Sequence, residues 1–271
     1  MIKRTLTGAV ILVFVYAWLF FSHIPLVLHI GTLVLGILAV LEIIRICRTD
    51  RPRFCYAAML ISVLLLILPI PYYKYVMILI LPVVLILFGF MMAKKEQLRE
   101  FNAALATVVC VAVILLFKAI PTLRNLDNGS YYLTYTIIFC FVTDIAAFLF
   151  GKAFGSRKLC PKISPNKTIE GAVGGLSCTV IIAMITAILL QKYAGLHFDF
   201  VLLLIWSLLV SIVGQFGDLC MSTVKRIADV KDFGNLLPGH GGILDRFDSH
   251  MFAIPFTLLF CVLTGGIYNL K

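Results

Sequence analysis

A chain of 271 residues that is 62% hydrophobic and 13% charged, with a mean hydropathy of +1.06, is too apolar for a soluble domain. The formal charge of +10 directs basic loops towards anionic lipid or an anionic substrate, and nucleic acid is not expected as a partner. The cysteines are scattered without a CxxC pair and no histidines cluster, which argues against a zinc site and a disulfide framework.

Apolar runs recur in chain order at 5–21, 26–44, 55–71, 75–92, 101–117, 131–150, 171–190, 200–221 and 249–268. Each is near the ~20 residues that carry a helix across a bilayer, and their lack of strand alternation favours helices. The expected fold is all-α and polytopic, with about nine transmembrane spans. The run at 5–21 is too long for the core of a signal peptide and lacks a small-residue cleavage site, so it reads as the first span. With a cytoplasmic N-terminus, only Lys74, Lys118, Arg124, Lys192 and Lys271 among the basic residues fall on the outer side. The chain is thus expected in the cell (inner) membrane, with its polar loops in the cytoplasm.

The two halves differ. Residues 1–125 read as scaffold helices; Pro82 reads as a kink, and Glu42 as the partner of Arg45 three residues on. Residues 126–271 form the expected catalytic region. Asp144 lies inside the sixth span and Asp218 near the end of the eighth, and carboxylates at such depth face a cavity, a partner or a metal. A loop at 151–170 carries Lys158, Lys162, Ser164 and Lys167, ends in Glu170, and is followed by Gly171, Gly174 and Gly175, which permit close helix packing.

The second loop, 222–248, is the most polar stretch. A helix continued past the membrane puts Asp218, Ser222, Lys225 and Asp229 on one face. The following run, Leu237-Pro238-Gly239-His240-Gly241-Gly242, cannot stay helical, and such glycine turns can aim N–H groups at phosphate oxygens. Asp245 and Asp248, one helical turn apart with Arg246 between them, can share a hard cation. Helix-dipole stabilisation alone accounts for one of these acids, not for both beside a glycine loop and Asp218.

Taken together, S-x-V-K-R, K-D-x-G and L-P-G-H-G-G-I-x-D-R-F-D across 222–248 resemble the signature of the phosphatidate cytidylyltransferases, or CDP-diacylglycerol synthases. The stretch K-L-x-P-x-I-S-P-x-K-T-x-E-G-x-x-G-G at 158–175 and D-x-x-A at 144–147 are similar to the same family. Phe141, Phe148 and Asn166 depart from its usual residues. The resemblance implies condensation of CTP with phosphatidate, with magnesium, and it allows a second cation and a homodimer.

The chemistry suits that implication. Phosphatidate is largely dianionic at neutral pH and needs little general-base help, so catalysis rests on positioning and charge neutralisation. The expected metal ligands are Asp218, Asp245 and Asp248, with Lys225 and Arg226 completing the catalytic set. Asp144, Lys158, Lys162, Ser164, Lys167, Ser222, Lys231, His240, Gly241, Gly242 and Arg246 are the expected substrate-binding residues. His240 is expected to donate to a phosphate; Lys162 and Lys167 stay unassigned between nucleotide and lipid headgroup. Two alternatives are a CTP-dependent polyprenol or dolichol kinase, against which the full signature argues, and a cation-coupled transporter, for which no internal repeat is evident. The D-x-x-D-G-x-x-A-R motif of CDP-alcohol phosphotransferases is absent, since Asp248 is followed by Ser249.

Overall fold

The computed structural model describes residues 18, 20–21, 24–47, 52–67, 72–95, 102–236, 241–266 and 268–269. Its helices are α1 (Pro25–Ile46), α2 (Pro52–Ile67), α3 (Tyr73–Ala93), α4 (Ala103–Phe117), α5 (Ala119–Arg124), α6 (Gly129–Phe154), α7 (Ile169–Ala194), α8 (Phe200–Ile227), α9 (Leu244–Phe247) and α10 (His250–Thr264). The expected runs from the second to the ninth are helical; the first lies mostly outside the described residues. By length and composition six segments can cross a membrane: Pro25–Ile46, Tyr73–Ala93, Ala104–Arg124, Gly129–Phe154, Ile169–Tyr193 and Phe200–Ile227. The protein is an all-α, multi-pass membrane protein. Two expected spans are shorter helices, α2 with 16 residues and α10 with 15.

Local chemistry sets the ends. Pro25 opens α1, where its missing N–H costs nothing. Asn102 caps α4 through Leu105, Thr168 caps α7 through Gly171, and Asp199 caps α8 through Val201 and Leu202. Left-handed Gly195 and Gly265 close α7 and α10. At 28 residues α8 is about 42 Å long, more than the ~30 Å hydrocarbon core requires. Its last two turns carry Ser222, Lys225 and Arg226. The helix stops at Ile227, so Asp229 is not on its face but in a left-handed turn, with φ 57°.

The loop at 151–170 has more order than the sequence indicates. Lys158–Cys160 (β1) and Ser164–Thr168 (β2) form an antiparallel hairpin, in which Lys158 faces Thr168. A second pair joins His197–Phe198 (β3) to Tyr268–Asn269 (β4). The two ends of the bundle can be told apart by contacts. At one, Lys95 after α3 donates to the Lys162 carbonyl of the hairpin at 2.6 Å. At the other, Lys118 donates to the Leu65 carbonyl at 2.8 Å and caps the last turn of α2.

In the bundle interior Trp206, Phe88, Phe117, Phe139 and Phe252 are fully buried. Hydroxyls link the helices of the C-terminal half: Thr143 meets Thr179 at 2.7 Å and Ser211 at 3.1 Å, while Trp206 donates to Thr257 at 3.1 Å. Close approach of α6 and α7 depends on glycine. A Cβ at Gly175 would stand 2.7 Å from the Thr143 carbonyl oxygen, a backbone atom that no rotamer change can move. Gly175→Ala is expected to cost about 1–3 kcal/mol by overpacking, read as a lower melting temperature of the purified protein in detergent.

Candidate functional site

A cavity of about 320 Å³ opens where α6, β2, the start of α7, the end of α8 and α9 meet. Four carboxylates line it, from Asp144, Asp218, Asp245 and Asp248, together with the cationic side chains of Lys167 and Arg246. Ala147, Phe148, Leu159 and Ala172 supply apolar wall, and Asn166, Thr168 and Gln215 supply neutral polar groups. A cavity with an acidic centre, a cationic rim and an apolar side suits phosphates carried on a greasy molecule.

Each acid is held differently. Asp218 accepts from Lys167 Nζ at 2.5 Å and from Ser222 Oγ at 3.3 Å, so the hairpin and α8 are joined through the cavity. Asp248 accepts from the Ser249 N–H at 2.8 Å, and Ser249 Oγ reaches Asp144 Oδ2 at 3.3 Å. Loss of water contacts, and then the neighbouring Asp218 carboxylate, push the Asp248 carboxyl well above the usual range. Asp245 is the most committed of the four: its side chain is 4% exposed, Oδ1 accepts from Lys225 Nζ at 2.7 Å, and Oδ2 accepts from the Phe233 and Gly242 N–H groups at 2.9 Å each. Lys225 also lies over the Phe233 ring, 5.4 Å from its centroid.

The other expected residues fall into distinct places. Lys225 is buried against Asp245 and does not line the cavity. Arg226 is exposed; its Nε donates to the Ile163 carbonyl at 3.2 Å and its guanidinium also to the Val230 carbonyl at 3.3 Å, so it ties the hairpin to the end of α8. Lys158 and Lys162 are exposed on the hairpin, and neither they nor Ser164 and Lys231 line the cavity. Gly241 adopts φ +81°, a conformation open to glycine, and a Cβ there would stand 2.8 Å from Asp245 Oδ2. His240 lies outside the described residues.

Glu42 is the residue that sequence reasoning misplaced. It is 7% exposed, and its carboxylate accepts from the Ile243 N–H at 2.8 Å and the Leu244 N–H at 2.9 Å. The expected local pair with Arg45 therefore does not account for it. The available signal was its being an acid inside an otherwise apolar helix, which calls for a specific partner. The hairpin's attachment through Lys95 also escaped notice, since it joins residues on separate helical hairpins.

The donor set bears on a metal. Among the described residues no three acidic, imidazole or thiol groups converge as a closed metal cage. Magnesium does not need one: it takes one or two carboxylates and completes its shell with water and substrate phosphate. Asp218 and Asp248 fit that open arrangement. Their hard oxygens line one cavity, their charges oppose each other, and an ammonium group already sits on Asp218. Asp245, whose oxygens take three donors, is turned towards Lys225 and the loop backbone.

Comparison with known proteins gives a consistent likeness. The profile of the cytidylyltransferase family matches residues 2–264. The phosphatidate cytidylyltransferase of Bacillus subtilis (strain 168) is 42% identical over 174 residues, covering 64% of this chain and 63% of the relative. Those of Staphylococcus haemolyticus (strain JCSC1435) and Staphylococcus aureus (strain COL) are each 39% identical over 170 residues, 63% of either chain. The aligned stretch thus spans under two thirds of these relatives' length.

Proposed function

The chain belongs to the cytidylyltransferase family, and we propose that it condenses CTP with phosphatidate to give CDP-diacylglycerol and pyrophosphate. The observation that carries this reading is the cavity in which Asp144, Asp218, Asp245 and Asp248 meet Lys167 and Arg246 at one end of an apolar bundle. A phosphatidate oxygen attacks the α-phosphorus of CTP, the bond to the β-phosphate breaks, and pyrophosphate leaves. Both reactants are polyanions, so their repulsion is the main obstacle. When bound, magnesium would supply positive charge that offsets this repulsion, and Asp218 and Asp248 are the residues that would hold it. Lys167 and Arg246 face the same space and neutralise phosphate oxygens. Asp245, at the cavity wall and paired with Lys225 behind it, keeps the glycine loop in shape. Asp144 and Ser249 fix the far side.

The proposed topology has nine spans, a cytoplasmic N-terminus and a cytoplasmic cavity in the cell membrane. It is supported by the contacts that group Lys95 with the hairpin at one end and Lys118 with α2 at the other, as alternating spans require. Soluble CTP then reaches the cavity from water while the acyl chains of phosphatidate stay in the leaflet.

The test is direct. Purified protein with labelled CTP, phosphatidate and magnesium is expected to release pyrophosphate and a CDP-lipid. Release of CDP with a phosphorylated lipid alcohol would identify a lipid kinase instead, and cation uptake into sealed vesicles without either product would identify a transporter.

A further inference from the structure

Helix α9 has four residues and no side-chain cap of its own, since its preceding residue is Ile243. Its first N–H groups have no intrahelical acceptor and need one from elsewhere. Glu42, on α1 and 201 residues earlier, provides it: Oε1 takes the Ile243 N–H and Oε2 the Leu244 N–H, at 2.8 and 2.9 Å. Two adjacent donors meet a two-oxygen acceptor, a match that a carboxylate makes and a primary amide does not. The backbone closes around it. A Cβ at Gly242 would stand 2.5 Å from both carboxylate oxygens, and one at Gly234 would stand 2.9 Å from Oε1.

The clamped residues lie directly before the cavity's acids. Gly242 is held from the other side by Asp245, and Asp245, Arg246 and Asp248 all line the cavity, whereas Glu42 does not. We infer that Glu42 is a positioning residue for cytidylyl transfer: it grips the Ile243 and Leu244 N–H groups and so sets the aim of Asp245, Arg246 and Asp248. This rests on the function proposed above. On this account the N-terminal half contributes to the site through the Glu42 carboxylate, by backbone contact and without touching substrate, alongside the bond from Lys95 to the hairpin.

The experiment compares Glu42→Gln with Glu42→Asp and wild type, as full-length protein in detergent. It reads kcat, KM for CTP, melting temperature and amide exchange across 241–248. Glu42→Gln turns one acceptor into a donor facing a donor. It is expected to lower kcat on the order of 100-fold, the size of effect that misplacing a site by about 1 Å produces, with a smaller change in KM. Exchange should rise across 241–248 while α6 and α7 keep wild-type protection, and Glu42→Asp should recover part of kcat. A kcat within about twofold of wild type with unchanged exchange would overturn the inference. So would a loss of kcat accompanied by raised exchange throughout α6, α7 and α8, which marks a merely structural residue.

If Glu42→Gln does not fold, Gly242→Ala presses on the same carboxylate from the other side. Its kcat should fall with raised exchange confined to 241–248, and wild-type kcat and exchange would overturn the inference. Absence of CDP-lipid from wild type would sink the proposed reaction instead, and the exchange measurement would still decide whether Glu42 holds the loop.

Discussion

Asp248→Asn is expected to reduce conversion of labelled CTP to CDP-lipid by roughly 10²- to 10³-fold, the scale seen when one preorganised charged or polar group is removed from a site. Its melting temperature is expected not to fall. The reason lies in the company this acid keeps. Asp248 shares a cavity with Asp144 and Asp218, and packing plus that repulsion raise its carboxyl well above the ordinary range. An amide keeps the shape and removes the repulsion, so the change is neutral or favourable to folding while a cation held as proposed would lose a ligand. Turnover assays paired with thermal melts in detergent check both halves. An active variant would remove Asp248 from the metal site; an inactive variant with a sharply lowered melting point would make its role structural.

Asp245→Asn should behave in the opposite way on stability. Here the partner is a buried ammonium: the side chains of Lys225 and Asp245 are 11% and 4% exposed and 2.7 Å apart. Neutralising Asp245 leaves Lys225 buried without its countercharge, a change that costs about 3–5 kcal/mol. It also weakens the acceptor for the Phe233 and Gly242 N–H groups. Both activity and melting temperature are expected to drop. Lys225→Met added to Asp245→Asn removes the stranded charge and should restore part of the stability without restoring turnover. A single variant that melts like wild type would show that Lys225 is solvated in the protein. The two variants are thus expected to separate two acids one helical turn apart, one acting on turnover alone and the other on stability as well.

Much of this was legible from residue order, for identifiable reasons. The helices follow from apolar runs bounded by Pro25, Asn102, Thr168 and Asp199, all local signals. Asp218 and Ser222 share a face because helical spacing requires it, and the structure joins them at 3.3 Å. Of the expected site residues, Asp144, Lys167, Asp218, Asp245, Arg246 and Asp248 come together around the cavity. The hairpin was not legible, because strands of three and five residues among Lys, Pro and Ser show no apolar alternation. Arg226 was expected with Lys225 in the catalytic set; it follows Lys225 on the same helix, and a step of 100° turns it outwards to the Ile163 carbonyl. Glu42 failed for a related reason. An acid three residues before an arginine invites a local explanation, whereas its backbone partners stand 201 and 202 residues away.

That separation matters to how the protein is made. A ribosome adding about 5–20 residues per second completes Ile243 roughly 10–40 s after Glu42. During that interval α1 carries a carboxylate whose eventual N–H donors do not yet exist. The helix is long and apolar enough to enter a bilayer despite that one acid. The environment of Glu42 is nevertheless completed only with α9, so a later part of the chain finishes the surroundings of an earlier one.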